Sequence, residues 1–493
     1  MTSRLGAATG IWRDRQARDA GDRAYLAYSL LLLALIVVTP IGRAVWLQIT
    51  VETSAAALVS PSAGVIAGTI VLAIWAAALV IGQSRGPAVA APFLVHVLAG
   101  SDLRRRTVFR TRILVALLVA LLVGTGAAVF VGLALESLGL VGSAEVLDFT
   151  VRGALIGVVA AVLWLVGESL PRVAGMLTVL LFTIAVVIAR AAPASSQWAW
   201  VSCTGPVVWA DVVLLVLAAG GVATVSWLLD RISDRTLTAQ AAKWDAASAH
   251  AVSLDFGAVA ESYQTLPTVG RGRDAVACRA HLGSVILVRD LVGATRMPSR
   301  LSVGTLTLTG AGAVLVLAEV SPAVGPLLGG VAAILLYTGV GAFSRGLHHA
   351  ALVSLDLPLY GIGDGRLLVF HSLLPIGAAV VLTGGTAIAL GAFVAPASLI
   401  GLVWGGLALP VVVVAAHLSN ALRGPAPLFL MTPAPSAIGD PMPLIRVLWA
   451  MDAPVLAVLA GLLIAVGGSA LGAFVAVSIV LGLFLVVRWT RRA

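Results

Sequence analysis

The sequence predicts an all-α polytopic membrane protein with about twelve transmembrane helices, arranged as two parallel six-helix repeats. Three observations predict it: the composition, the spacing of apolar runs, and the sidedness of arginine. Of 493 residues, 60% are hydrophobic and 11% charged, and mean hydropathy is +1.06. A soluble domain is about half apolar and about a quarter charged. The apolar surplus therefore belongs in lipid, which largely excludes soluble enzymes, DNA-binding proteins and disordered scaffolds. The formal charge of +9 reads first as orientation and contact with anionic headgroups of the bilayer, and no nucleic-acid partner is expected. All cationic residues except Lys243 are arginine.

A membrane helix needs about 20 mostly apolar residues, and runs of that kind set the expected spans in order. The first six are Tyr25 to Leu47, Ser62 to Ile81, Ile113 to Leu135, Ala154 to Leu170, Ala174 to Ala191 and Val212 to Leu229. The second six are Leu301 to Val320, Val324 to Phe343, Leu373 to Phe393, Ser398 to Leu418, Val447 to Val466 and Ala470 to Val487. The fourth and fifth are near the minimum length, with only Glu168 to Arg172 between them, and either could be a re-entrant piece. Five arginines precede the first span and no small-residue cleavage site follows it, so it is expected to be retained rather than removed as a signal peptide.

With both termini inside, 28 of the 31 cations fall on the cytoplasmic side, and only Arg43, Arg152 and Arg190 outside. An error of one helix would destroy this asymmetry, so it supports an even number of spans in a multi-pass protein with cytoplasmic termini. Cys203 is then external and Cys278 internal, and no disulfide joins them.

The polar stretch after the sixth span divides the chain into a first half (1–229), a linker with a second amphipathic helix (230–300) and a second half (301–493). Each half carries Ser-Arg-Gly just after its second span, Ser84-Arg85-Gly86 and Ser344-Arg345-Gly346. Each then reaches Asp-x-Arg before its third span, Asp102 to Arg104 and Asp364 to Arg366. Residues 11–24 and 273–300 mix charge with apolar residues at helical spacing, as interfacial helices do. Six spans per half makes the repeats parallel, related by an axis along the membrane normal.

Ion-coupled carriers place ionisable groups within the membrane, where charge is costly and survives for function. Here the spans are almost free of charge. Glu168 and Asp452 fall near cytoplasmic ends, and Glu136, Asp211 and Glu319 near outer ends. Asp452, beside Trp449 and Pro454, is the single candidate intramembrane polar site, with a carboxylate at a helix start as its simpler explanation. No phosphate loop of the Gly-x4-Gly-Lys-Ser/Thr type occurs, and the linker is too short for a nucleotide-binding domain. Any ATPase must be a separate chain.

The layout resembles the permease subunit of ABC-2-type exporters, and more closely bacterial ABC exporter membrane proteins with fused halves. The residues that carry the resemblance are Gly100-Ser-Asp-Leu-Arg-Arg-Arg106 with Phe109-Arg-Thr-Arg112, and the stretch from Pro425 to Pro433 with Gly439-Asp-Pro and Trp449. The resemblance implies an amphipathic connecting helix and a coupling helix in each half. It also implies an ATP-driven exporter in the bacterial inner membrane, moving a hydrophobic or amphipathic cargo such as a drug, lipid or peptide outward by alternating access. The partner would be an ABC ATPase, two copies per chain, carrying the ATP and Mg; this chain binds no cofactor and is not itself an enzyme. The implied coupling residues are Ser101, Asp102, Arg104, Arg105, Arg106 and Arg110 in the first half, and Tyr360, Asp364 and Arg366 in the second. A re-entrant cap or gate before the sixth span would contain Trp198, Trp200 and Trp209; an aromatic belt explains the same residues. The second half has only Gly467, Gly468 and Ser469 at the corresponding place. An ion-coupled carrier working through Asp452, and a non-transporting scaffold or lipid-processing protein, are the alternatives. His348, His349 and His371 have no Cys or carboxylate at ligand spacing, so no metal site is expected.

Overall fold

The computed structural model describes residues 34–99, 103–191, 208–252, 281–321, 325–354, 361–423 and 442–491, with a few isolated positions between them. It is helical throughout, and no strand occurs among the described residues. Nine helices there are long and apolar enough to cross a bilayer, or ten when one bent pair is taken as a single span. The chain is a multi-pass membrane protein. It divides into two compact units, Met1–Ala249 and His250–Ala493.

In the first unit, α1 (Thr39–Ile49) and α2 (Glu52–Leu58) precede α3 (Pro61–Ser84). α4 (Pro92–Ala99) and the single turn α5 (Arg105–Val108) lead into α6 (Arg110–Glu136) and α7 (Ser143–Ser169). α8 (Pro171–Ala191), α9 (Val208–Arg231) and α10 (Asp234–Val252) complete it. α6 and α7 form an antiparallel hairpin, and α3, α8 and α9 pack on α7. Glycine permits close crossing: a Cβ at Gly82 of α3 would lie 2.2 Å from the Trp164 carbonyl oxygen of α7, and one at Gly167 2.3 Å from the Leu79 oxygen.

α7 corrects two expectations. It is a 27-residue helix starting at Ser143, so the fourth span is neither short nor re-entrant, and Arg152 lies within it instead of in an outer loop. The charges of Glu145, Asp148 and Arg152 look like a boundary in sequence, yet Arg152 is only 2% exposed because Asp211 of α9 accepts from its Nε at 2.5 Å and its Nη2 at 3.1 Å. The expected first span is described continuously from residue 34, as a π turn at Ala34–Val38 running into α1, and most of the interfacial segment before it lies outside the described residues.

In the second unit, α11 (Leu282–Thr295) is followed by α12 (Pro298–Val320) and α13 (Gly325–Val340). α14 (Arg345–Val353) turns 68° from α13. α15 (Asp364–Ala379) widens into a π turn at Val380–Gly384 and continues as α16 (Gly385–Val394). α17 (Leu399–Ala421), α18 (Met442–Val466) and α19 (Leu471–Thr490) end the unit. Leu308, Leu336, Leu409, Val413 and Ala457 are among its core residues. α13 and α18 cross glycine on glycine, where a Cβ at Gly461 would lie 2.3 Å from the Gly329 oxygen.

The ninth span is also longer than its apolar run. Residues Asp364–Val394 form one 31-residue span, about 46 Å at 1.5 Å per residue, so its charged first turns extend past a hydrocarbon core of about 30 Å. Asp364 and Arg366 thus belong to a helix and not to a loop before it.

Candidate functional site

One end of the first unit is built on the Ser84-Arg85-Gly86 turn. α3 stops there because Arg85 is extended (φ −149°, ψ 101°) and Pro87 follows. The turn is sealed from three sides. Ala88 N–H donates to Glu168 Oε2 at 3.0 Å, and Gly86 N–H donates to Gln240 Oε1 at 3.0 Å. The Trp164 indole donates to the Arg85 carbonyl at 2.7 Å, and the Arg85 guanidinium lies 4.0 Å from the centre of a Trp244 ring. Glu168 is 1% exposed, and its Oε1 has no hydrogen-bond partner.

Beyond the turn, Phe109 anchors α5 in the core beside Leu228, Leu229 and Ile232. Arg105 is turned inward on its own unit, bonded to Asp234 at 2.6 Å, and the Arg106 N–H donates to Asp230 at 3.3 Å. The side chains of Arg104, Arg106 and Arg110 remain exposed. Ser101 and Asp102 lie outside the described residues.

In the second unit the corresponding turn rests on Asp290 of α11. Its carboxylate accepts from or shares a proton with His371 Nδ1 of α15 at 2.6 Å, both side chains being buried. A Cβ at Gly346 would meet Asp290 Oδ2 at 2.4 Å. Arg300 of α12 donates to the Gly341 carbonyl. Ile286 of α11 packs with Leu347, Ala351 and Leu368, and α11 occupies Leu282–Thr295 of the 273–300 segment expected to be amphipathic. Asp364 is half-buried in the first turn of α15 and Arg366 is exposed. Tyr360 lies outside the described residues.

Asp452 is an ion-pair centre. It sits on α18, bonded to Arg488 of α19, with Arg423 Nη1 at 3.9 Å. Arg488 also donates to the Ser419 carbonyl at 2.9 Å and hydroxyl at 2.5 Å on α17. Arg423 donates to the Trp449 carbonyl at 2.8 Å. Two guanidinium groups around one carboxylate tie α17, α18 and α19 together; Asp452 lies ten residues past the first residue of α18 rather than at a helix start, and accepts from the adjacent Ala453 N–H at 2.6 Å. In the same unit His417 stacks on Tyr337 at 4.0 Å.

Of the expected outer cap, Trp198 and Trp200 lie outside the described residues. Trp209 belongs to the first turn of α9, two residues before the apolar span Asp211–Arg231. Sequence reasoning missed Arg423, Arg488 and Ser419 around Asp452, and the Asp290–His371 pair. Nothing local announces either, because each joins helices far apart in the chain. Among the described residues no three His, Cys, Asp or Glu side chains converge as a metal site would require. No family model matches the chain, and no curated protein or solved structure matches it.

Proposed function

We propose that the chain is the membrane-spanning permease subunit of an ATP-driven exporter of the ABC-2 type. It has twelve spans in two parallel six-helix halves, and both termini lie in the bacterial cytoplasm. The observation that carries this reading is where charge is committed and where it is free. Asp452 is held by Arg488 and Arg423, Asp211 by Arg152, and Glu168 by the Ala88 N–H. A carrier driven by a proton or sodium gradient needs an intramembrane group that changes partners, and these are engaged in structural contacts. Exposed cations cluster instead at the arginine-rich helix ends: Arg104, Arg106 and Arg110 after the first Ser-Arg-Gly turn, and Arg366 after the second.

An ABC ATPase, two copies per chain, docks on these ends and carries the ATP and Mg. Its closure on ATP switches the pathway between inner and outer access, and a hydrophobic or amphipathic cargo leaves along an apolar route lined by small residues. The test is co-purification with the ABC ATPase encoded by a neighbouring reading frame. Arg104→Glu, Arg106→Glu and Arg110→Glu together should lower the retained ATPase by about tenfold or more, as reversal of three docking charges implies. ATP-dependent accumulation of a hydrophobic dye in inverted vesicles should fall with it. Dye movement that needs no ATPase and stops when the ion gradient is dissipated would overturn the reading.

A further inference from the structure

The first unit carries an open apolar groove of about 820 Å³ along α6 and α7. It exists because the hairpin is lined with small residues where the helices meet. A Cβ at Gly124 would lie 2.2 Å from the Gly153 oxygen, and one at Gly157 2.2 Å from the Ala120 oxygen. The backbones touch there, and no side chain fills the crevice beside the contact. Val115, Val119 and Val123 form one wall and Phe149, Ile156 and Trp164 the other. From Arg112 to Val131 the groove follows α6 for about 28 Å, close to the depth of a hydrocarbon core.

The two ends of the groove differ in charge. Arg152, toward the far end, is buried and bidentate to Asp211, so its charge is spent. Arg112, at the near mouth, is exposed, and its Nη1 donates to the Val89 carbonyl at 2.7 Å. Among the described residues Arg112 makes no ion pair, nor do the exposed Arg104, Arg106 and Arg110 that precede it. A guanidinium whose charge is not neutralised, beside a chain-length apolar groove, is complementary to a ligand with a phosphate at one end and hydrocarbon behind it. A zwitterionic headgroup would bring its own cation into this arginine cluster, whereas a headgroup with a net negative charge would not.

We propose that the groove is a binding site for an anionic phospholipid from the leaflet that meets the arginine-rich helix ends. An acyl chain lies along α6 and α7, and the phosphate sits on Arg112. This site does not depend on the chain being a transporter. The experiment is native mass spectrometry of the full chain, purified in mild detergent and offered equal amounts of phosphatidylglycerol and phosphatidylcholine. The wild type should retain phosphatidylglycerol preferentially. Arg112→Gln should lower that retention about fivefold, the weight of one arginine near a lipid surface, and Arg112→Lys should restore part of it. Val119→Trp and Val123→Trp fill the groove from wall positions 54% and 67% exposed, where a larger side chain displaces no packed core, and each should lower retention with Arg112 intact. Equal retention of both lipids by the wild type would overturn the proposal. So would phosphatidylglycerol retention that Arg112→Gln leaves unchanged, or that survives both tryptophan variants.

Discussion

The two Ser-Arg-Gly turns do the same mechanical job in opposite settings. Ser84-Arg85-Gly86 ends a helix, with Arg85 extended, whereas Arg345 and Gly346 begin one, with Ser344 at its N-cap. In both, the glycine is where a buried carboxylate presses against the chain: a Cβ would lie 1.9 Å from Glu168 Cδ at Gly86, and 2.4 Å from Asp290 Oδ2 at Gly346. The carboxylates have different origins. Glu168 stands at the end of α7 and serves the backbone, while Asp290 comes from α11 and is shared with a histidine. A recurring tripeptide therefore marks a recurring need, a side-chain-free spot over a buried acid, and not a copied set of contacts.

The likeness of the units is tested most severely at their helix crossings. Gly82→Leu in the first unit and Gly461→Leu in the second each place a side chain on a facing carbonyl 2.2 or 2.3 Å from the new Cβ. Backbone cannot swing aside as a rotamer can, so each pair of helices must separate. The expected cost exceeds about 3 kcal/mol, the upper range for overpacking, a large part of a stability of about 5–15 kcal/mol. Both variants should lose most of the monodisperse peak in fluorescence-detected size-exclusion chromatography. If only one does, the units are not held together in the same way.

The carboxylates should separate the units. Asp290→Ala leaves the His371 ring, 2% exposed, without its partner, and removal of one member of such a buried pair costs about 2–3 kcal/mol. Glu168→Ala strips one acceptor from the Ala88 N–H while Gln240 and Trp164 still hold the turn, so about 1–2 kcal/mol is expected. Melting of the detergent-purified variants, with an Asp290→Ala/His371→Ala double-mutant cycle, measures both. A Glu168→Ala loss as large as that of Asp290→Ala would show that the backbone contact, not the carboxylate–histidine hydrogen bond, dominates at such a turn.

The membrane class and most of the spans were legible because apolar runs are a local, additive signal. Helix boundaries were misread wherever charge was taken as an edge. Arg152 is inside α7 because Asp211 neutralises it from another helix, and Asp364 and Arg366 are inside α15 because that helix outlasts the hydrocarbon. The same limit hid the partners of Asp452: Arg423 and Arg488 count in sequence as inner-end charges, and only packing of α17, α18 and α19 brings them together. Arg105 looks like one of three equivalent arginines until Asp234 is placed beside it. The apolar groove was illegible for another reason, since small residues at helical spacing signal close packing without saying what the crevice beside it admits.

The finest difference between the turns is the group that caps a carbonyl in each. In the first unit it is an indole, Trp164 Nε1 on the Arg85 oxygen at 2.7 Å; in the second it is a guanidinium, Arg300 on the Gly341 oxygen. Trp164→Phe keeps a ring against α3 and removes one neutral hydrogen bond, so the stability loss should be about 1 kcal/mol. Arg300→Met keeps the apolar stem and removes a charged donor, for which about 2 kcal/mol is expected. Denaturation of the two variants in the same detergent compares them directly. A Trp164→Phe loss equal to or above that of Arg300→Met would mean that the indole acts through packing against the turn. The neutral seal of the first unit would then be its stronger one.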